Sequence, residues 1–203
     1  ELGGVDVHAK TTGQIDLGAD SYEDAYKAVK QWLSYLPSNA WTPAPRGEPM
    51  TKSRWEPDHE LTDFIPDKRR RGYDMRKFCK LLLDPDSFFE LQPKFAKNLV
   101  TGLGRLDGWS VGVIANNPMF QAGALNPDSC DKAIRLMCLC DAFNIPIIWL
   151  MDVPGFNVGR KVEHERMLFK AIRMVEALCN LSTPTISVVI RKGFGLALSL
   201  IHI

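Results

Sequence analysis

The sequence predicts an α/β domain with parallel strands at its centre, and three observations carry that reading. Two near-continuous apolar runs, Trp149-Leu150-Met151 and Ile186-Ser187-Val188-Val189-Ile190, each stop at a glycine-bearing loop, Asp152-Val153-Pro154-Gly155-Phe156 and Arg191-Lys192-Gly193-Phe194-Gly195. Runs of this kind read as strands buried on both faces, and the loops at their carboxyl ends line ligand crevices in layered α/β folds. A helical pattern lies between them, and that alternation favours parallel pairing through right-handed crossovers. Glycine in both loops lets backbone N–H groups approach a ligand, which suits a developing oxyanion or an acyl carbonyl better than a metal ion.

The first element is at residues 21–35, which read as an amphipathic helix with Ser21 as N-cap and Asp24 in the capping-box position. Ala25, Ala28, Val29, Trp32 and Leu33 share one face. Between Pro37 and Pro66 the chain turns rich in Pro, Ser, Asn and charge, and Pro43, Pro45, Pro49 and Pro57 break regular structure, so the segment reads as a linker between two units. Residues 73–83 carry a helical pattern. Residues 98–106 and 109–115 flank Asp107-Gly108, a hairpin signal. Asn126 caps the next helix, Pro127 suits its first turn, and Ala133, Leu136, Met137, Cys140 and Phe143 form its apolar face. A strand is expected at 146–151, then one helix at 162–179 with Met167, Leu168, Ala171, Met174, Val175 and Leu178 inward, then a strand at 185–190.

Composition narrows the function. Lys plus Arg number 25 against 24 Asp plus Glu, so no overall charge favours nucleic acid or an anionic membrane. No apolar run reaches the roughly 18 residues of a membrane span, and the expected location is the cytoplasm. Five cysteines, an odd number set mostly in apolar helical patterns, point to free thiols in a reducing compartment. Cys138 and Cys140 are two apart on a helix, so their side chains diverge and make a poor metal pair. The chain opens without Met and ends in the apolar Leu198-Ser199-Leu200-Ile201-His202-Ile203, which reads as a piece of something longer.

Several motifs have competing readings. Asp152-x-x-Gly155 matches a loop that nucleotide hydrolases place beside magnesium, but no Gly-x-x-x-x-Gly-Lys-Ser/Thr precedes it, and a ligand-free tight turn accounts for it equally well. Gly102, Gly104 and Gly108 miss the dinucleotide spacing and lie in the hairpin. His8, His59, His164 and His202 show no ligand spacing, and no Ser or Cys sits in a nucleophile elbow. Lys68-Arg69-Arg70-Arg71 reads first as a solvated loop.

A set of short motifs in shared order runs almost the whole length. It comprises Leu2-Gly3-Gly4 with His8 and Gly13; Leu33-Ser34-Tyr35-Leu36-Pro37; Ile65-Pro66 and Tyr73-Asp74; Ser87-Phe88-Phe89-Glu90; Val100-Thr101-Gly102 with Arg105-Leu106 and Gly108; Ala115-Asn116-Asn117-Pro118; Lys132-Ala133; Cys140-Asp141-Ala142-Phe143; and the two glycine-bearing loops. In these residues the chain resembles the carboxyltransferase subunits of biotin-dependent acyl-CoA carboxylases, the group of propionyl-CoA carboxylase beta subunits and methylmalonyl-CoA carboxyltransferases.

The resemblance implies an α/β crotonase-like superhelix of strand, strand, helix turns, here incomplete. Residues 1–36 correspond to the end of an amino-terminal acyl-CoA lobe, 37–64 to a linker, and 65–203 to the first part of a carboxybiotin lobe. It implies carboxyl transfer from carboxybiotin to the α-carbon of an acyl-CoA, with biotin on a carrier partner, a coenzyme A thioester as substrate and no metal. Partners would be biotin carboxylase and biotin carrier subunits within a homo-oligomeric parent, with no nucleic acid or membrane. The location would be the cytoplasm, or the mitochondrial matrix in a eukaryote.

By the same resemblance, Gly195, Leu196 and Ala197 supply backbone oxyanion donors. Gly155, Phe156, Gly159, Arg160, Asn116 and Asn117 fall in loops that bind substrate or carboxybiotin. Leu196 stands where many members carry glycine, and beyond Ala197 an unrelated apolar tail is expected in place of a small-residue helix. A related acyl-CoA decarboxylase subunit and a non-catalytic interaction module are the alternatives.

Overall fold

Side-chain caps start two helices where the sequence places them, at Ser21 and Asn126. The computed structural model describes residues 2–48, 59–68 and 71–202. Helix α1 spans Val5–Lys10 and α2 spans Tyr22–Ser34, with the Ser21 hydroxyl accepting from Asp24 N–H at 3.1 Å. Next come helices α3 (His59–Phe64) and α4 (Met75–Leu82), the latter capped by Asp74. Strand β1 (Phe89–Leu91) precedes β2 (Leu99–Leu106) and β3 (Trp109–Asn116). Helix α5 (Pro127–Ala142) begins with a full capping box between Asn126 and Ser129. The remainder is β4 (Ile147–Val153), α6 (Arg160–His164), α7 (Met167–Cys179), β5 (Thr185–Gly193) and α8 (Gly195–His202).

One sheet of order β1-β2-β3-β4-β5 holds all five strands. The first three are antiparallel neighbours, and β3, β4 and β5 run parallel. Asp107 and Gly108 both take positive φ, 53° and 79°, as the two-residue turn of a tight hairpin demands. The Asp84 carboxylate accepts from both their N–H groups, at 3.0 and 2.7 Å, which fixes the turn.

The two faces carry two cores. On one, Leu99, Leu103, Ile114, Trp149 and Met151 meet Leu136 and Met137 of α5, Met174 of α7 and Ile201 of α8. On the other, Val100, Val113 and Leu150 meet Met75, Phe78 and Cys79 of α4. Each large side chain taken fully from water contributes about 1.5–3 kcal/mol before entropy is set against it.

Lys132 is buried on α5 at 2% exposure, and its Nζ donates to the carbonyls of Gln92, Phe95 and Leu99 at 2.9, 2.8 and 2.8 Å. Burial pushes its ammonium down to about 7, with the neighbouring Glu90 carboxylate acting in the opposite sense. Two of these carbonyls belong to the loop between β1 and β2, where Gln92 and Ala96 take positive φ, and the third to the first residue of β2.

Several expectations change. The helix expected at 162–179 is two, because Arg166 adopts φ 65°, ψ 43°, a left-handed conformation that ends one helical path and starts another. Leu168, expected inward, is 65% exposed. The strand expected at 185–190 runs on to Gly193, and the apolar tail is helical, as α8. On α2, Ala25, Ala28 and Trp32 are half-buried while Val29 and Leu33 stay exposed.

Within segment 37–64, residues 45–47 pack along the hairpin turn, while α3 lies against α4 through Phe64. Gly47 N–H donates to Gly108 O, and Arg105 donates to Pro45 O and Ser34 O while its guanidinium sits 5.3 Å from the Tyr35 ring centre. Pro49 and Pro57 lie outside the described residues. So do Arg69 and Arg70 of the basic run.

Candidate active site

The carboxyl ends of β4 and β5 bring the two glycine-bearing loops side by side. Leu125 N–H donates to Gly155 O at 3.0 Å and Asn157 N–H to Leu125 O at 2.7 Å, so the first loop is pinned to the residues just before α5. In the second loop Phe194 N–H donates to Val153 O at 3.2 Å, and helix α8 starts one residue later.

Gly195 takes φ 66°, a conformation that L side chains adopt at a cost, and a Cβ there would meet nothing within 4 Å. Glycine is therefore required by backbone geometry, and its face is open to an incoming group. The same open space surrounds Gly155 and Gly159. Gly195, Leu196 and Ala197 form the first turn of α8, where backbone N–H groups have no acceptor within the helix and the helix dipole favours negative charge. Ala197 is buried, and Leu196 is exposed with its side chain turned outward. These three donors suit a developing oxyanion.

Beneath the donors lies a charged cluster that the sequence reading does not identify as a unit. Asp152 is wholly buried at the end of β4. Its Oδ2 accepts from Tyr73 Oη at 2.7 Å and Arg191 Nε at 3.1 Å, and Lys192 Nζ lies 3.5 Å from Oδ1. Arg191 also donates to Arg71 O at 2.9 Å, and Lys192 to Ala122 O at 3.1 Å. Burial, then the adjacent Asp152 carboxylate, raises the Tyr73 phenol well above its ordinary range, which keeps it a hydrogen-bond donor. Asp152 thus points into protein, with Oδ2 held by Tyr73 and Arg191, and with Oδ1 buried without a hydrogen bond and facing only the Lys192 ammonium. The signal was present in Arg191-Lys192 and Tyr73, but nothing local links them to a carboxylate 39 or 79 positions away.

The remaining candidates divide. Phe156 is half-buried and makes an isolated parallel bridge with Leu125. Gly159 and Arg160 start α6, with Arg160 exposed. Asn116 and Asn117 are buried at 0% and 1%. Asn116 Nδ2 donates to Gly123 O at 3.0 Å, while Asn117 Oδ1 accepts from Met75 N–H at 3.2 Å. Asn116 thus braces the turn before α5, and Asn117 ties the end of β3 to the start of α4. Among the described residues, no group of three or more His, Cys, Asp or Glu is placed to hold a metal ion, and no helix is long and apolar enough to cross a membrane.

The family profile described as carboxyl transferase domain matches residues 1–201. The chain belongs to the carboxyl transferase domain family. The match reaches through α8, so the apolar end lies within the family pattern rather than outside it. The propionyl-CoA carboxylase carboxyltransferase subunit of Haloferax mediterranei is 40% identical over 96% of this chain and 38% of its own length. The biotin-dependent acetyl-/propionyl-coenzyme A carboxylase beta5 subunit of Mycobacterium tuberculosis is 39% identical over 96% of the chain and 36% of its own.

Among solved structures, transcarboxylase 12S superposes with a TM-score of 0.94 at 34% identity, covering 99% of this chain and 38% of that one. That structure is described as a hexamer assembly with methylmalonyl-coenzyme A and methylmalonic acid bound. The fold is the crotonase-like α/β arrangement shared with these carboxyltransferases. The chain spans less than two fifths of the length of these two relatives.

Proposed function

We propose that this chain is part of the carboxyltransferase subunit of a biotin-dependent acyl-CoA carboxylase. The reaction moves a carboxyl group from carboxybiotin, delivered as a substrate on a carrier protein, to the α-carbon of an acyl-CoA. The observation that carries the proposal is the first turn of α8, whose backbone N–H donors begin at Gly195, an exposed residue beside open space, and run on to the buried Ala197. Such donors stabilise negative charge on a ureido or enolate oxygen without a side-chain base, and losing one typically costs roughly 3 kcal/mol of transition-state stabilisation. Gly155, Phe156, Gly159 and Arg160 would border the carboxybiotin side of the crevice, with Asn116 and Asn117 holding its floor.

Residues 1–36 would end an acyl-CoA lobe, 37–64 would link, and 65–203 would begin the carboxybiotin lobe. The parent subunit would form a homo-oligomer with biotin carboxylase and biotin carrier partners, and the hexamer described for transcarboxylase 12S supports that reading. Free cysteines, both buried and exposed, support a reducing location such as the cytoplasm, or the mitochondrial matrix in a eukaryote.

The test joins the complete polypeptide carrying these residues with a biotin carboxylase and carrier. Carboxylation of short acyl-CoAs is the expected result. Carbon dioxide release from a dicarboxylic acyl-CoA without net carboxylation would favour the decarboxylase. A tight complex without turnover would favour the interaction module, a reading supported for the isolated residues by the exposed Leu168, Phe169 and Ile172 of α7 and Ile186 of β5.

A further inference from the structure

Strand pairing between β4 and β5 is regular up to Met151, which faces Val189, and resumes with Val153 facing Gly193. Between these pairs β4 has only Asp152, while β5 has Ile190, Arg191 and Lys192. Consecutive strand residues normally point to opposite faces, yet Arg191 and Lys192 both reach the Asp152 carboxylate, Arg191 Nη2 at 3.1 Å and Lys192 Nζ at 3.5 Å. The extra residues of this irregularity accompany that convergence. Such bulges bend a strand and redirect the chain beyond it, and they are rare between parallel strands.

The chain redirected here is the second loop. After the bulge, Phe194 N–H returns to Val153 O, and Gly195 turns the chain into α8. The direction in which the first-turn amides of α8 point is therefore set by a distortion that one buried carboxylate holds. Tyr73 adds a third donor from the segment before α4, and Arg191 reaches on to Arg71 O, which ties the bulge to a separate part of the chain.

We infer that Asp152 is a positioning residue: by gathering Arg191, Lys192 and Tyr73 it locks the β5 bulge and aims the backbone donors of Gly195–Ala197. This rests on the carboxyltransferase reading for its effect on catalysis. Its effect on the backbone stands independently of that reading. Asp152 is wholly buried and acts only through the loop.

The test compares Asp152→Asn, Lys192→Met and the conservative Lys192→Arg in the complete polypeptide. Amide hydrogen exchange is read at Phe194, whose N–H is bonded to Val153 O beside the bulge, and, for reference, in the β2–β3 hairpin. Exchange at Phe194 should accelerate at least about 10-fold in Asp152→Asn and Lys192→Met, while the hairpin stays unchanged and Lys192→Arg remains close to wild type. At temperatures well below each variant's Tm, kcat for carboxyl transfer should fall by about 10- to 100-fold, with KM for the acyl-CoA within about threefold.

Should Asp152→Asn fail to fold, Lys192→Met carries the comparison, since Lys192 lies nearer the rim of the cluster. Unchanged exchange at Phe194, or acceleration spread equally over the hairpin, overturns the inference. A wild-type polypeptide that transfers no carboxyl group would sink the functional reading alone, because the exchange comparison does not require turnover.

Discussion

Strands β4 and β5 are parallel neighbours that each carry an apolar run, and the molecule treats them in opposite ways. Every residue of β4 is buried, whereas no residue of β5 is. Ile148 and Ile186 face each other in register, yet they are 8% and 62% exposed. Leu150 and Val188, the next pair on the same face, are 1% and 41% exposed. An apolar run therefore reports that a strand is meant to be covered on both faces, and burial depends on what other polypeptide is present to cover it.

Deleting the same side chain on the two strands gives the largest expected contrast. Ile148→Ala should cost about 3 kcal/mol, since it leaves a cavity under α4, and Ile186→Ala in this chain less than about 1 kcal/mol. Chemical denaturation of both variants measures the difference. Equal losses would mean that β5 is covered after all.

Past the strand ends the contrast becomes one of function. Leu196→Pro removes one backbone donor, and proline is tolerated in the first turn of a helix. Carboxyl transfer by the complete polypeptide should then drop by about 3 kcal/mol in kcat, a factor of roughly 100, with Tm little changed. Undiminished kcat would remove the Leu196 amide from the site.

Lys132→Met tests how the interior beneath β2 tolerates loss of a buried cation. Three carbonyls that now accept from Nζ would lose their donor, and unfolding free energy should fall by about 2 kcal/mol. Denaturation midpoints give the answer, and a neutral result would show that water replaces the ammonium.

A smaller effect guards the entry to β5. Burial would raise the Asp141 carboxyl, but hydrogen bonds from Ser182 N–H, Ser182 Oγ and Thr183 N–H outweigh it and hold the group below its ordinary value. A depressed carboxyl stabilises the fold above its unfolded-state value and loses that contribution as pH falls through its folded-state value. Acid titration of stability should therefore show a steeper loss below about pH 4 in wild type than in Asp141→Asn. Parallel titrations would assign the acid limb to other carboxylates.

The smallest expected effect on folding is the most informative about the edge. Ile186→Lys should barely alter Tm, while sedimentation should shift from associated species in the wild-type chain toward monomer, because charge on an exposed edge blocks strand addition. A wild-type chain that sediments as a monomer would break the comparison outright.

Much of this architecture is legible locally. Asp107-Gly108 specifies its hairpin because both positions need positive φ, and Asn126 with Pro127 specifies the start of α5 because a cap and a donor-free first residue suit a helix end. The family pattern is legible for the same reason, being carried by short motifs whose order survives in the chain. The break at Arg166 is not, since the apolar period from Val162 to Leu178 gives no turn residue there and the left-handed kink arises as α7 settles on α5.

The Asp152 cluster is the clearest case of the other kind. The two apolar strands, the glycine-bearing loops after them and the helical character of the stretch between follow from local sequence, because period, cap and turn chemistry act over a few residues. Packing of the whole chain brought Arg191 and Lys192 to one carboxylate, split the expected helix at Arg166, and set the β5 bulge just before α8. Charge pairing across distant segments depends on where the sheet brings strand ends together, and that is a property of the packed molecule rather than of any stretch of its chain.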